Sequence, residues 1–228
     1  MTPDEDLGVA YEESRQRFMV LVADLSPDQL AVVVPACPEW TVKDLVAHVI
    51  GIASDTASGN VAGVGTAQWT EAQVSARKDH SLEALMAEWA TVGPNVAGAL
   101  QYLHPAMAGA MIGDLVTHEQ DARGALAAPG GRDAAAAAIA LNTYVRFLGR
   151  RLKDAELPAL RVESGDLTWD IGNGEPQTTV KGEPFELLRS LTGRRTTEQI
   201  RALEWSGDPG PYLEVFSMYG VPEAPLDE

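Results

Sequence analysis

The fold prediction depends on the sequence MIGDLVTHEQDA, residues 111–122. Asp114 and His118 stand four positions apart in it, and an α-helix places such residues one above the other on one face. Three apolar residues mark the inward direction of that helix: Met111, Leu115 and Ala122. At about 100° per residue, His118 lies about 40° from this direction and Asp114 about 80°. The pattern predicts a helix from about 105 to 127 that turns His118 toward a core and Asp114 toward its rim.

Other long segments carry apolar residues at helical spacing, without strand patterns between them: residues 7–25, 41–57, 81–103 and 133–155. A weaker helical segment covers residues 68–77. Gly93-Pro94 predicts a kink in the third long helix, and Pro129-Gly130-Gly131 ends the helix that carries His118. Long amphipathic helices joined by loops predict a mainly α fold, an antiparallel helical bundle with a four-helix core.

The pattern changes at Leu157-Pro158. Short β-type runs and short helices follow: strands at 160–163, 167–171 and 177–181, and helices at 183–191 and 196–203. We therefore predict two domains, a metal-binding helical bundle over residues 1–156 and a small α+β domain over residues 157–228.

Composition narrows the possible partners. The formal net charge of −16 repels phosphate backbones and anionic lipids, which argues against nucleic acid and membranes as partners. The single cysteine, Cys37, forbids an intramolecular disulfide. Residues 1–6 carry three acids and no basic residue, unlike a signal peptide, and no apolar run approaches the ~20 residues of a membrane helix. We expect a soluble cytoplasmic protein.

A third ionisable residue faces the same core. On the predicted helix over 41–57, His48 lies about 65° from the centre of the apolar stripe. A carboxylate and two imidazoles beside a core are costly unless they are paired or bound to metal. His48, Asp114 and His118 are therefore candidate metal ligands, and such a three-ligand set leaves positions open, as in catalytic zinc sites. Asp121, three residues after His118, is a candidate catalytic residue, either as a general base or by orienting a ligand.

An arrangement without metal is the alternative. His118 would then bond to Asp114, and His48 would pair with Asp44 one turn earlier. Cys37, in a proline-rich loop, is interpreted as a small hydrophobic residue, neither nucleophile nor ligand. Trp40 is interpreted as an anchor for the start of the second long helix.

Two motifs resemble one known family. Residues 35–48, PACPEWTVKDLVAH, resemble the Cys-Pro-x-Trp loop and first histidine helix of the mycothiol-dependent maleylpyruvate isomerase family, DinB/YfiT-like metal-dependent bundle proteins of actinobacteria. Residues 114–121, DLVTHEQD, resemble the second motif, an acid, a histidine four positions later and an aspartate three after that. The acid is often glutamate in the family. Asp114 is one methylene shorter, so whether it binds the ion directly is left open.

A third stretch extends the resemblance. Residues 186–196, ELLRSLTGRRT, and 205–209, WSGDP, resemble the small C-terminal domain of these enzymes, in which an arginine reaches the active site. Arg194, with Arg195 next, would hold a carboxylate of the substrate or thiol. A solvent-facing basic residue at a helix end is the alternative.

The resemblance implies a chemistry. His48, Asp114 and His118 would hold a divalent metal, most simply Zn²⁺, and mycothiol would be the thiol cosubstrate. A thiol bound to such an ion becomes a thiolate near neutral pH and attacks an activated alkene or epoxide. Addition, rotation and elimination would make an isomerase, and transfer of the thiol an S-transferase.

Two further functions stay open. A metal-bound water would make the protein a small hydrolase, and a metal-binding regulatory or small-molecule-binding protein would have no turnover. A small molecule and a thiol are the expected partners. The chain is expected to be a monomer or a homodimer.

Overall fold

The computed structural model describes residues 6–228, which form two compact units, one up to Gly131 and one from Arg132 to Asp227. The expectation about a signal peptide concerns mostly residues 1–5, which lie outside the described residues. The first unit contains these elements: α1 (Leu7–Val22), α2 (Pro27–Leu30), β1 (Val33–Val34), β2 (Cys37–Thr41), α3 (Val42–Ser58), α4 (Ala67–Arg77), α5 (Leu82–Ala99) and α6 (Pro105–Ala125). The predicted long helices are confirmed, with ends that differ by a few residues.

The core of the first unit is a four-helix bundle. Helices α1 and α3 each pack against both α5 and α6. The ring of Phe18 on α1 meets Trp89 on α5 edge-on at 5.6 Å between centroids, and Gly8 lies against Ala97, so α1 and α5 run antiparallel. Large apolar side chains fill the interior: Phe18, Leu45, Ile50, Leu85, Trp89, Ile112 and Leu115. Burial of each contributes about 1.5–3 kcal/mol, and the predicted four-helix core is confirmed.

Helix α5 is continuous across Gly93-Pro94, the position at which the sequence predicts a kink. Pro94 lies inside the helix without ending it. Beside it, a Cβ on Gly93 would collide with the side chain of Arg15, which is 6% exposed and bonded through its guanidinium to Glu12. The absence of a side chain at Gly93 therefore makes room for the stem of a buried arginine.

The start of α3 is fixed by a capping box. The Thr41 hydroxyl accepts a hydrogen bond from the Asp44 amide at 3.2 Å, and the Asp44 carboxylate accepts one from the Thr41 amide at 3.0 Å. An aspartate thus fills the position where glutamate is usual. The alternative in which His48 pairs with Asp44 is wrong, because His48 Nε2 faces Asp114 and His48 Nδ1 has no hydrogen-bond partner among the described residues.

Helix α6 buries charge on a second face. Glu119 is 1% exposed, and its carboxylate oxygens lie 3.2 Å from Arg17 of α1 and 3.0 Å from Arg123 one turn later. The neighbouring Gln120 donates to the carbonyl oxygen of Gly130 at 2.9 Å. These bonds attach α6 to α1 and to the loop that follows it.

The second unit is a helix-covered mixed sheet. Its elements are α7 (Ala135–Asp154), β3 (Pro158–Ser164), β4 (Leu167–Ile171), β5 (Asn173–Lys181), α8 (Pro184–Leu191), α9 (Thr197–Arg201), β6 (Glu204–Ser206) and α10 (Leu213–Phe216). The strand order is β4-β3-β5-β6, with β3 antiparallel to β4 and parallel to β5. The predicted small α+β region is confirmed, and β6 was not predicted.

The first helix of this unit, α7, was assigned to the helical bundle in the sequence analysis. Helix α7 packs on β4 and α8, and Trp169 donates its indole N–H to Asn142 of α7 at 3.0 Å. The compact units therefore divide between Gly131 and Arg132, whereas the sequence suggests a boundary at residue 156; that domain division stays a prediction. No helix within residues 6–228 has the length and apolarity needed to cross a membrane.

Glu119→Ala tests the buried ion pairs of α6. Removing the carboxylate leaves Arg17 and Arg123 without it, and we expect the free energy of unfolding to fall by about 3 kcal/mol. Urea unfolding measures this. Glu13→Ala removes an exposed glutamate from α1 and is the matched control, with an expected change below about 0.5 kcal/mol. Equal midpoints for the two variants would contradict the role of Glu119.

Candidate metal centre

The structure brings three predicted ligands together in the helical unit. His48 projects from the first half of α3, and Asp114 and His118 from the middle of α6. One oxygen of Asp114, Oδ1, lies 3.7 Å from His48 Nε2 and 3.5 Å from His118 Nε2. Ligand atoms held about 2.1 Å from a tetrahedral zinc ion lie about 3.4 Å apart. The spacing of these donor atoms therefore fits one ion.

The cluster of His48, Asp114 and His118 is partly exposed, and Asp114 is its most exposed member. The side chains of His48 and His118 are 6% and 9% exposed, whereas that of Asp114 is 28% exposed. The predicted inward direction of His118 and the rim position of Asp114 are confirmed. Solvent reaches the carboxylate, so an ion held here would retain positions for exogenous ligands.

A buried carboxylate orients one of the histidines. Asp121 is 2% exposed, and its Oδ2 lies 3.0 Å from His118 Nδ1. This hydrogen bond favours the tautomer with hydrogen on Nδ1, which leaves the Nε2 lone pair toward Asp114. Of the roles considered for Asp121, its burial behind His118 supports the orienting role. A direct catalytic role stays a prediction.

The electrostatics of the cluster couple an acid to two imidazoles. Burial alone would raise the pKa of Asp114, but the charge of His118 and hydrogen bonds with His118 and His48 hold it well below its usual value. Burial alone would lower the pKa of His118. The charge of Asp114, together with hydrogen bonds to Asp114, Asp121 and Cys37, raises it well above its usual value instead. A positive charge between these side chains is therefore favoured, and either a proton or a divalent cation can supply it.

His48, the second histidine, has fewer polar contacts than His118. His48 Nδ1 is buried and has no hydrogen-bond partner among the described residues. Its other ring nitrogen, Nε2, lies 3.7 Å from Asp114 Oδ1. Two imidazoles and one carboxylate are the donor types that zinc prefers, although nickel, manganese and iron accept the same set.

Two residues of the Cys-Pro-x-Trp segment lie against these side chains, contrary to their interpretation from the sequence. Cys37 is half-buried, and its Sγ lies 3.8 Å from Asp121 Oδ2, a residue 84 positions later. The Trp40 ring lies 4.8 Å from that of His48 and 6.0 Å from that of His118, measured between centroids. Interpreting Cys37 as a simple hydrophobic residue was wrong. Trp40 does more than anchor a helix, because it packs on both imidazoles.

The two predicted substrate-binding arginines lie in the second unit. Arg194 and Arg195 are 6% and 5% exposed, so the alternative of solvent-facing side chains is wrong. Arg195 forms two hydrogen bonds with the Glu186 carboxylate, at 2.7 and 2.9 Å, and Arg194 donates to the Thr192 carbonyl. Their role toward a substrate or thiol stays a prediction.

Fold and site together define a class: a helical-bundle protein with a candidate three-residue metal centre that is open on one side. Residues 11–123 match the model of the family described as the mycothiol maleylpyruvate isomerase N-terminal domain. The chain belongs to this family through its helical unit, and the resemblance noted in the sequence is confirmed.

Solved structures extend the likeness to both units. Crystal structures of the mycothiol-dependent maleylpyruvate isomerase and of a histidine-to-alanine mutant of it are each 12% identical to this chain, with TM-scores of 0.60 and 0.62. Each comparison covers 90% of this chain and 94% of the other. At this identity they establish the fold. No curated protein matches the sequence significantly.

Asp121→Asn tests the orientation of His118. Asparagine presents a weaker acceptor to the Nδ1–H group, so we expect divalent metal affinity to fall about 10- to 100-fold. Competition with a chromophoric chelator measures it. Asp79→Asn changes an exposed aspartate in the same way and is expected to leave affinity unchanged. Equal affinities for both variants would contradict the orienting role.

The ion pair of Arg195 predicts a pH dependence of stability. Hydrogen bonds from Arg195 lower the pKa of Glu186 although burial opposes them. A lowered pKa means that the pair stabilises the folded state above the unfolded pKa, about 4.3, and that this contribution is lost as pH falls through the folded value.

We therefore expect wild-type protein to lose more unfolding free energy than Glu186→Gln as the pH falls below about 4.3. Urea titrations at several pH values measure it, with Glu204→Gln, an exposed glutamate of β6, as the control. A constant difference between wild type and Glu186→Gln at all pH values would refute the assignment.

Proposed function

We propose that this protein is a metal-dependent enzyme that uses a low-molecular-weight thiol, mycothiol, as isomerase or S-transferase on a small electrophile. The observation that carries the proposal is the convergence of His48, Asp114 and His118 donor atoms on one partly open point. The family of the helical unit and the two similar crystal structures support mycothiol as the thiol.

The residues of the centre have separate tasks. A divalent cation held by His48, Asp114 and His118 would supply the positive charge that lowers the pKa of a coordinated thiol. His48 and His118 would hold the ion through Nε2, and Asp114 would partly balance its charge. Asp121 orients the His118 ring through its Nδ1 atom, and Trp40 packs beside both imidazoles.

The proposed isomerisation conserves the thiol. Its sulfur forms a bond to one carbon of an activated cis alkene, and the π electrons move onto the adjacent carbonyl. The former double bond can then rotate. When the electrons return, the carbon–sulfur bond breaks, and the trans alkene and the thiolate are released. Protonation of the carbon before that bond breaks would give S-transfer instead.

Substrate carboxylates need a cationic partner in this scheme. Arg194 and Arg195 are the candidates, because a guanidinium binds a carboxylate through two parallel hydrogen bonds. The family resemblance makes Arg194 the first candidate and Arg195 the second, and Arg195 also pairs with Glu186.

Metal content tests the centre first. Protein purified without an affinity tag is compared by elemental analysis as wild type, His118→Ala and His80→Ala, the last removing an exposed histidine. We expect about one zinc per chain in wild type and His80→Ala, and near-complete loss in His118→Ala. Wild-type protein without metal, even after reconstitution, would refute the proposal.

Thiol dependence tests the reaction. Metal-loaded protein is assayed with maleylpyruvate, with and without mycothiol, and we expect turnover only with the thiol and at least about a 100-fold loss in His118→Ala. Hydrolysis of ester or amide substrates without thiol would favour the hydrolase, and bound metal without any turnover would favour the regulatory protein.

A further inference from the structure

A second group of potential metal ligands involves the His118 ring again. It consists of Cys37 at the start of β2, together with His118 and Asp121 of α6. One donor atom from each of these residues lies within 4.8 Å of the other two. The group has only His118 in common with the candidate metal centre, so it is a distinct ligand set within the same helical unit.

The separations within this group suit one ion. Asp121 Oδ2 lies 3.0 Å from His118 Nδ1 and 3.8 Å from Cys37 Sγ. A tetrahedral ion with sulfur at about 2.3 Å and nitrogen and oxygen at about 2.0–2.1 Å holds such donors about 3.3–3.5 Å apart. The two observed separations lie on either side of this range. Shifts of about 0.3 Å would therefore bring the donors to coordination distance.

The three side chains differ in their access to solvent. The Asp121 side chain is fully buried and that of His118 is 9% exposed. Cys37 is half-buried, and with Pro38 and Trp40 it lines a surface groove of about 560 Å³. An ion can therefore reach the thiol from solvent, whereas the two ligands on α6 are enclosed.

The charges of this group balance a divalent cation. A thiolate at Cys37 and the carboxylate of Asp121 supply two negative charges, whereas the candidate metal centre supplies only one. Enclosing an ion costs less when its charge is neutralised by its ligands. Sulfur is also a soft ligand, which selects thiophilic cations such as Cd²⁺ and Zn²⁺ over cations that prefer oxygen.

The shared ring makes the two positions mutually exclusive. A neutral imidazole has one nitrogen with a lone pair and one that carries hydrogen. At the candidate metal centre His118 offers Nε2, which lies 3.5 Å from Asp114 Oδ1, and its Nδ1–H group faces Asp121. An ion on Nδ1 requires the opposite tautomer, in which Nε2 carries the hydrogen and cannot bind metal.

We propose that Cys37, Asp121 and His118 Nδ1 form a second metal position, which takes a thiophilic divalent cation and excludes an ion from the first centre. Binding releases the thiol proton to solvent, and the ring proton of His118 moves from Nδ1 to Nε2. The inference does not depend on the proposed reaction, because it concerns only which side chains hold an ion.

Cadmium binding tests this position through the sulfur atom. Cd²⁺ is titrated into the full-length protein as purified, in buffer without thiols, and ultraviolet absorption records the sulfur-to-cadmium charge-transfer band. Cys37 is the single cysteine of the chain, so the band reports only an ion bound there. Cys37→Ser, which exchanges sulfur for oxygen, should abolish the band.

The ligand variants give opposite expectations. In wild type the band should saturate at one Cd²⁺ per chain. Asp121→Asn replaces an anionic ligand by an amide of the same shape and should weaken the affinity at least about tenfold, whereas Asp79→Asn, at an exposed position, should not. His48→Ala removes a ligand of the first centre alone. Because the competing position is lost, this variant should bind Cd²⁺ at Cys37 at least as tightly as wild type.

Three results would overturn the inference. They are a wild-type protein without the band, wild-type affinity in Asp121→Asn, and weaker binding in His48→Ala, which would make Cys37 a fourth ligand of the first centre. Thiol-dependent turnover together with any of these results would leave the proposed function standing. The expected band pattern in a protein without such turnover would support the second position while the proposed function failed.

Discussion

Five consecutive polar residues of α6, residues 117–121, are buried, and a buried polar group is costly unless it is bonded. Because successive helix positions point about 100° apart, these side chains point in several directions and make different demands on their surroundings. His118 and Asp121 bond to each other, and Glu119 requires the arginines of α1 and α6. Gln120 captures the loop beyond the helix. Helix α1 and the loop after α6 therefore supply hydrogen-bond and ion-pair partners to this run of polar residues.

The cost of burying polar groups also distinguishes a structural face of the unit from its candidate functional face. On one face, Glu119 has two guanidinium partners and no further need. On another, Asp114 Oδ1 lies within 3.7 Å of the Nε2 atoms of His48 and His118, and the Asp114 side chain is 28% exposed. The first face stabilises the bundle. The second brings three donor atoms to one partly exposed point, which is the property expected of a site that binds something else.

Local spacing predicted the part of this arrangement that lies within one helix. Asp114, His118 and Asp121 share a face because of their intervals of four and three residues, and the apolar stripes predicted the bundle. The meeting of His48 with Asp114 depended on how two helices pack, and helical direction could only indicate that both face inward. The position of Cys37 beside Asp121, 84 residues away, has no local signal. Strand β6, three residues long, was too short for a periodic pattern.

The membership of α7 in one compact unit or the other was also beyond what the sequence pattern could predict. Helix α7 has the amphipathic pattern of the preceding helices, so periodicity alone could not separate it from the bundle, although it packs on β4 and α8. The Pro129-Gly130-Gly131 break was interpreted as the end of a helix. It also lies at the division between the two compact units.

The contact between Gly93 and Arg15 restricts the order in which these two positions can change. Any side chain at Gly93 meets the stem of Arg15, and shortening Arg15 alone leaves a void and breaks its bonds to Glu12. Each single change is harmful by itself, whereas a shorter residue at 15 followed by a small side chain at 93 would refill the same space. Substitutions at these positions should therefore show epistasis: the tolerance of one site to mutation depends on which residue already occupies the other.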